Sequence, residues 1–217
     1  MRAPPLPAPS ALLLATLAAL VLAVEPAHAG SRLVQRLARG EPQQVVLYGG
    51  SLTGLGPWVP QMRDWLTNTY AGAVTLINSG LDGSSQDGAL NLDAAVLAHR
   101  PDTVLLEFGF ADAYTNHPDP LLHVSLVQAR SNLNLMIDRI LTNRDDTEIV
   151  LQTMNTAWDS TNNANQSATM RPQLAAYYQM YREVAAERGL LLIDHAAAWA
   201  ALQTSNPAQF RAYLPDG

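Results

Sequence analysis

Val45-Val46-Leu47-Tyr48-Gly49-Gly50-Ser51-Leu52-Thr53, with Gly54 and Gly56 just beyond, is the stretch whose reading decides the fold. A short apolar, β-branched run bounded by glycine reads as a buried strand. The two glycines let the backbone turn sharply where the strand stops. That puts Ser51 at the strand's carboxyl end, where open α/β sheets bind their ligands. A serine in this place is either an exposed nucleophile or a helix N-cap. The stretch alone leaves both readings open.

Outward from it, strands and helices alternate. Four further apolar runs read as strands: Ala73 to Ile77, Thr103 to Phe108, Glu148 to Thr153 and Leu190 to Ile193. Between them, Pro57 and Pro60 suit the first turn of a helix, and a second helix is expected from Gly88 to His99 with Leu90, Leu92, Ala95 and Val96 on its apolar face. Apolar residues at Leu126, Leu133, Met136, Ile137 and Ile140 predict a helix over Leu121 to Thr142. Another runs from Pro172 to Arg188 with Gly189 as its C-cap. Shorter helices are expected over Ala196 to Leu202 and Pro207 to Tyr213, and Ser31 to Arg39 reads as either a short helix or an irregular lead-in. Near-continuous apolar strands alternating with helices predict a parallel sheet covered on both faces. The expected fold is a three-layer α/β/α, flavodoxin-like sheet of five strands. Its chemistry should sit at Ser51, Gly80, Gly109 to Asp112 and whatever follows Ile193.

The first 29 of the 217 residues read as an address. Arg2 precedes an apolar run from Ala11 to Val24, and Ala27-His28-Ala29 forms a small-x-small cleavage site. Residues 1–29 are expected to be a cleaved secretory signal, with an uncleaved anchor as the alternative. A single domain over residues 30–217 follows, secreted or periplasmic, with no stable membrane span after cleavage. No cysteine follows the apolar run, which excludes a lipoprotein anchor. The formal net charge is −6 with no basic stripe, so nucleic acid is not an expected partner. The chain has no cysteine, which removes thiolate nucleophiles and cysteine–zinc sites. It has no lysine either, which removes Schiff bases, serine–lysine dyads and the P-loop lysine.

Several motifs fail on spacing. A G-x-S-x-G elbow needs glycine two positions after Ser51, and Thr53 stands there. No G-x-G-x-x-G can be read through Tyr48 to Val59. The loop Asp82 to Asp87 lacks the alternating acidic ligands of a calcium site.

Four blocks in order resemble the SGNH hydrolases, the GDSL-type serine esterases: Gly49-Gly50-Ser51-Leu52, the Gly80 turn in Asn78-Ser79-Gly80, Gly109-Phe110-Ala111-Asp112 and Leu214-Pro215-Asp216-Gly217. The resemblance implies that Ser51 attacks an acyl carbonyl, assisted by a histidine that Asp216 orients. It also implies an oxyanion hole made by the N–H groups of Ser51 and Gly80 and by a third-block asparagine. The expected substrate is a small-molecule or carbohydrate ester, with no cofactor and no metal. Three departures stand out. Gly50 replaces an aspartate at a position that is not the nucleophile. Ala111 replaces the asparagine, and a methyl group donates no hydrogen bond. The catalytic histidine is expected two positions after Gly217, where the sequence has stopped. Among the five histidines, His195 follows the last strand but lacks the family's spacing, and His28, His99, His117 and His123 fit no better. A stop within Pro-Asp-Gly reads as a truncation that also omits a covering C-terminal helix. Such a chain is expected to be catalytically crippled.

Asn155 is a substitute oxyanion donor or a loop-capping amide. Trp158, in the long polar loop after the fourth strand, is a substrate platform or packing. Two rival functions stay open: a non-catalytic ligand-binding protein on the same scaffold, and a flavodoxin-like nucleotide or flavin module.

Overall fold

The strand that leads to Ser51 lies inside the sheet. In the computed structural model, which describes residues 30–70, 73–115, 123–162 and 167–217, five parallel strands run in the order β2-β1-β3-β4-β5. They are β1 (Gln43–Gly49), β2 (Val74–Asn78), β3 (Thr103–Glu107), β4 (Glu148–Thr153) and β5 (Leu191–Asp194). Val45 pairs with Leu76 on one side and with Thr103 on the other. The order reverses between β1 and β3, so this is the doubly wound sheet expected, with its switch point beside Ser51. Residues 1–29, where the signal is expected, lie outside the described residues.

Ten helical segments connect the strands among the described residues: α1 (Arg32–Ala38), α2 (Ser51–Gly54), α3 (Trp58–Thr69), α4 (Ser85–Ala95), a single 3₁₀ turn (Leu97–His99), α5 (Gly109–Asp112), α6 (Leu126–Asn143), α7 (Leu174–Arg188), α8 (His195–Ser205) and α9 (Pro207–Tyr213). Alternate strand residues serve opposite faces. Val46, Tyr48, Val104, Leu106, Ile149 and Leu151 join the core formed with α4, α6 and α7. Val45, Leu47, Leu105 and Val150 join a smaller core with Leu33 and Leu37 of α1 and Val59, Met62 and Leu66 of α3.

Local chemistry sets the helix ends. Asp87 accepts hydrogen bonds from the Ser84 N–H at 2.8 Å and the Ser84 hydroxyl at 3.0 Å, so α4 begins at Ser85 rather than at Gly88. Gly88 is instead a packing glycine, since a Cβ there would lie 2.5 Å from the Phe108 ring. Leu90, expected on the apolar face of this helix, is 77% exposed. Its buried stripe is Gly88, Leu92 and Val96, in step with the earlier start. Ser125 caps α6 by accepting the Gln128 N–H at 3.2 Å. Residues 116–122, which include the expected beginning of that helix, are outside the described set. Gly189 closes α7 at φ +61°, a left-handed conformation that favours glycine.

Candidate active site

The double glycine of the opening stretch is explained by two backbone approaches. A Cβ on Gly49 would lie 2.3 Å from the Glu107 carbonyl oxygen and 2.4 Å from Thr53 Oγ1, so no side chain fits. A Cβ on Gly50 would lie 3.1 Å from the Ala111 methyl and 3.4 Å from the Gly83 carbonyl oxygen. The Gly50 N–H donates to the Glu107 carbonyl at 3.1 Å. The loops after β1, β2 and β3 therefore meet at Gly50, one residue before the serine.

Ser51 is the first residue of α2, and Gly50 holds the N-cap position. The capping reading therefore drops out. Ser51 is partly buried, its hydroxyl has no hydrogen-bond partner among the described residues, and its N–H is not used by the helix. A free hydroxyl beside a free N–H is what an attacking serine with an oxyanion donor requires.

Gly80 has a different task from the one expected. A Cβ there would lie 2.2 Å from the Gly54 nitrogen, so the two backbones are packed against each other. The Gly80 N–H donates to Asn78 Oδ1 at 3.0 Å, while Asn78 Nδ2 donates to the carbonyls of Thr53 at 3.1 Å and Gly54 at 3.2 Å. Asn78 thus ties the end of α2 to the second-strand turn, and the Gly80 donor is occupied. The residue of this loop that adjoins Gly50 is Gly83, through its carbonyl oxygen, and the Gly83 N–H has no partner among the described residues. Sequence reading passed over Gly83; its distance from the first block shows only once the loop is folded back.

The third block is held by buried carboxyls. Glu107 Oε1 accepts the Phe110 N–H at 3.0 Å, and Asp112 Oδ1 accepts the Ser85 N–H at 2.7 Å. Asn132 donates to the Ser85 hydroxyl at 3.0 Å. The second oxygens of Glu107 and Asp112 are buried without a partner. Burial pushes Glu107 up to about 7 and Asp112 up to about 6. Arg171 donates from Nε to the Phe110 carbonyl at 2.9 Å and lies 4.0 Å from the Phe110 ring centroid. Ala111 is thereby fixed in place, with no donor of its own to offer.

Asp216 stands in a segment tethered by the loop after β4. Trp158 Nε1 donates to the Leu214 carbonyl at 2.7 Å, and Ser160 donates to the Pro215 carbonyl at 2.6 Å. The Trp158 indole therefore serves as a tether, with Arg211 over its ring at 5.3 Å. Asn155 is buried; its amide donates to the Thr156 carbonyl at 3.1 Å, and its own carbonyl accepts from the Tyr178 hydroxyl at 2.9 Å. Those bonds give it the loop-capping role.

His195 opens α8 and lines the same cavity as Asn155 and Asp216. Burial pushes its imidazole down to about 4, against the pull of Asp194. Asp194 itself is engaged elsewhere, by Arg182 at 2.8 Å and by the Thr153 hydroxyl at 2.9 Å. Of the other histidines, His28 and His117 lie outside the described residues. No hydrogen bond joins Ser51 to any described histidine. Among the described residues no cluster of histidine, aspartate and glutamate is grouped to hold a metal ion.

A switch-point serine with an unpartnered hydroxyl and a free backbone N–H, set where the loops after β1, β2 and β3 meet, is an arrangement suited to acyl transfer on a doubly wound sheet. The chain belongs to the GDSL-like lipase/acylhydrolase family, whose profile matches residues 46–217. Among curated proteins there is no sequence match. Solved structures share the fold. An acetylxylan esterase from Geobacillus stearothermophilus, Axe2, is 19% identical at a TM-score of 0.65, over 76% of this chain and 82% of that one. LAE5, an α/β hydrolase from the metagenome of Lake Arreo, Spain, is 22% identical at 0.64, over 78% and 84%. The acetyl xylan esterase AlAXEase is 19% identical at 0.65, over 76% and 84%. The catalytic mutants described for Axe2 replace a serine, an aspartate and a histidine by alanine.

Proposed function

We propose that this chain is an exported serine esterase acting on acyl esters, including acylated carbohydrates. One observation carries the reading: the unpartnered Ser51 hydroxyl stands beside its own unused N–H where the first three loops meet, with Gly83, whose N–H is also unused, in the adjoining loop. Ser51 Oγ attacks the acyl carbonyl while a histidine takes its proton. The tetrahedral oxyanion is met by the two N–H groups, and its collapse expels the alcohol, which takes the proton back. Water then repeats the sequence on the acyl-enzyme. The acetylxylan esterases of like fold support a sugar-borne ester as the substrate. The apolar run before Ala29 supports export.

Two features lower the expected rate. Ala111 withholds a side-chain donor, a loss of roughly 100- to 1,000-fold by analogy with oxyanion-hole deletions. His195, the described histidine that shares a cavity with Asp216, is neutral at pH 7 but weakly basic. The same two features favour the second reading, a ligand-binding protein that keeps the cleft without turnover. Hydrolysis of p-nitrophenyl acetate by the wild-type chain and by Ser51→Ala separates the two. Turnover that vanishes in the variant is the esterase outcome, and unchanged turnover removes Ser51 from the mechanism. Loss of activity in His195→Ala assigns that residue as base; retention places the base elsewhere.

A further inference from the structure

Arg171, just before α7, touches two loops that belong to different blocks of the site. Its Nε donates to the Phe110 carbonyl at 2.9 Å, and its guanidinium lies 4.0 Å from the Phe110 ring centroid and 5.0 Å from that of Tyr114. Its Nη1 donates to the Ser167 hydroxyl at 3.1 Å and to the Ser167 carbonyl at 3.3 Å. Arg171 is partly buried, and no carboxylate forms an ion pair with it among the described residues. A cation withdrawn from water without a counter-ion is costly unless its donors are met. Here two carbonyls, a hydroxyl and two ring faces meet them, and the planar fork of donors can serve acceptors on two loops at once. The side chain thus joins loops rather than neutralising a charge.

Each side of this bridge leads into the site. On one side, the Met170 carbonyl accepts the Thr115 N–H at 2.9 Å and the Thr115 hydroxyl at 3.0 Å, so residues 170–171 grip both ends of the turn from Phe110 to Thr115. That turn sets Ala111 against Gly50, one residue before Ser51, and Phe110 lines the cavity that Leu52, His195 and Asp216 also line. On the other side, Asp159 accepts the N–H groups of Ala168 and Thr169, both at 2.9 Å, and the Thr169 hydroxyl at 2.7 Å. Trp158 and Ser160, which flank Asp159, hold the carbonyls of Leu214 and Pro215. A Cβ on Gly217 would lie 3.3 Å from Ser167 Cβ. A run of hydrogen bonds and short peptide links therefore leads from the turn beside Ser51, through Arg171, to the segment that carries Asp216.

We propose that Arg171 is a positioning residue that fixes the third-block turn, and through it Ser51, against the Asp216 segment. It acts through Phe110 and Ser167 and touches no reacting atom. Its effect on turnover rests on the esterase reading; the mechanical link between the two loops does not.

Two variants of the full chain test it. Arg171→Met keeps an unbranched side chain and removes every donor, whereas Arg171→Lys keeps the charge on a single donor centre. Peptide-resolved hydrogen exchange in Arg171→Met should rise about tenfold over residues 109–115 and over residues 214–217 together, with β1, β3 and α7 unchanged. A rise in one loop only, in neither, or spread through α7 overturns the proposal. On p-nitrophenyl acetate, kcat in Arg171→Met should fall about 10- to 100-fold with KM changed less than threefold, because a displacement of about 1 Å at a reacting group costs on that order. Arg171→Lys should recover only part of the loss in kcat and in exchange protection, and it carries the exchange test alone should the methionine variant fold poorly. A lysine variant equal to wild type would show that charge alone matters and would overturn the bridge. Without Ser51-dependent turnover in the wild type the esterase reading falls and the exchange pattern decides the bridge; Ser51-dependent turnover with an unchanged kcat in Arg171→Met keeps the esterase and sinks the positioning role.

Discussion

Gly50 and Ala111 stand so close that a Cβ on the glycine would lie 3.1 Å from the alanine methyl. The contact joins the turn that carries Ser51, the proposed nucleophile, to the turn that, in the family pattern, carries an amide donor. On the esterase reading the methyl has a clear chemical consequence: the position that the family pattern gives to a further oxyanion donor holds no donor group.

Ala111→Asn should therefore raise kcat on p-nitrophenyl acetate by about 10- to 100-fold, with KM changed less than threefold, because the new donor acts on the transition state. The comparison is made against Ser51→Ala as the baseline. An unchanged kcat would mean that the side chain at this position does not face the oxyanion.

Gly80 and Gly83 should separate in their response to alanine. The added Cβ at Gly80 meets backbone atoms of Gly54 and Thr53 at 2.2–2.7 Å, which cannot move without distorting α2. Gly80→Ala is expected to cost about 3–5 kcal/mol. At Gly83 the obstacles are led by the end of Leu81 and the carboxylate of Asp87, at 2.7 and 2.8 Å. Those side chains can turn aside, so Gly83→Ala should cost about 1 kcal/mol. Urea melts of the two variants measure the difference.

Stability should fall as pH rises from about 4.5 to 7. Glu107 is raised by burial from 4.5 to about 7, so the folded state holds its proton where the unfolded chain releases it. The stability that this protonation contributes is complete below the unfolded value and is lost as pH climbs through the folded one. Asp112 adds to the trend, from 3.8 to about 6. For Glu107 the swing is about 3 kcal/mol. Glu107→Gln keeps an acceptor for the Phe110 N–H and should flatten the dependence of the urea midpoint on pH between 4.5 and 7. An unaltered slope would show that Glu107 is ionised throughout.

The docking of α1 should depend on one carboxylate. Glu148, buried at the start of β4, accepts from the Ser31 hydroxyl at 3.0 Å, the Arg32 N–H at 2.7 Å and the Leu33 N–H at 2.8 Å. It satisfies the open first turn of a helix that has no cap of its own. Glu148→Ala should cost about 2–4 kcal/mol and increase hydrogen exchange in α1 before the sheet exchanges. Uniform exchange across both elements would refute the local role.

The sheet was legible because its signal is local. Each strand is a run of apolar residues ended by glycine, proline or a polar turn, and five such runs with helices between them admit few topologies. The serine at the end of β1 and the Gly-x-x-Asp block after β3 were equally legible, since each is a short motif tied to a strand end, whereas the Asp216 block follows α9 and was read from its motif alone. Helix limits were less so: the bond between Ser84 and Asp87 starts α4 three residues before the apolar pattern suggests.

Tertiary structure alone decided which residues of those blocks face one another. The Gly80 N–H is taken by Asn78, and Gly83 takes the place beside Gly50, because the loop after β2 folds back on itself. The same packing made Trp158 a tether and Asn155 a loop cap, and left Gln152 with an unused donor. Sequence by itself determined the order of the strands' chemistry, because hydrophobic periodicity and turn residues act within a few positions. Which backbone N–H around Ser51 stays free was settled by contacts across the fold, because a hydrogen-bond donor is spent by whichever acceptor the chain brings to it.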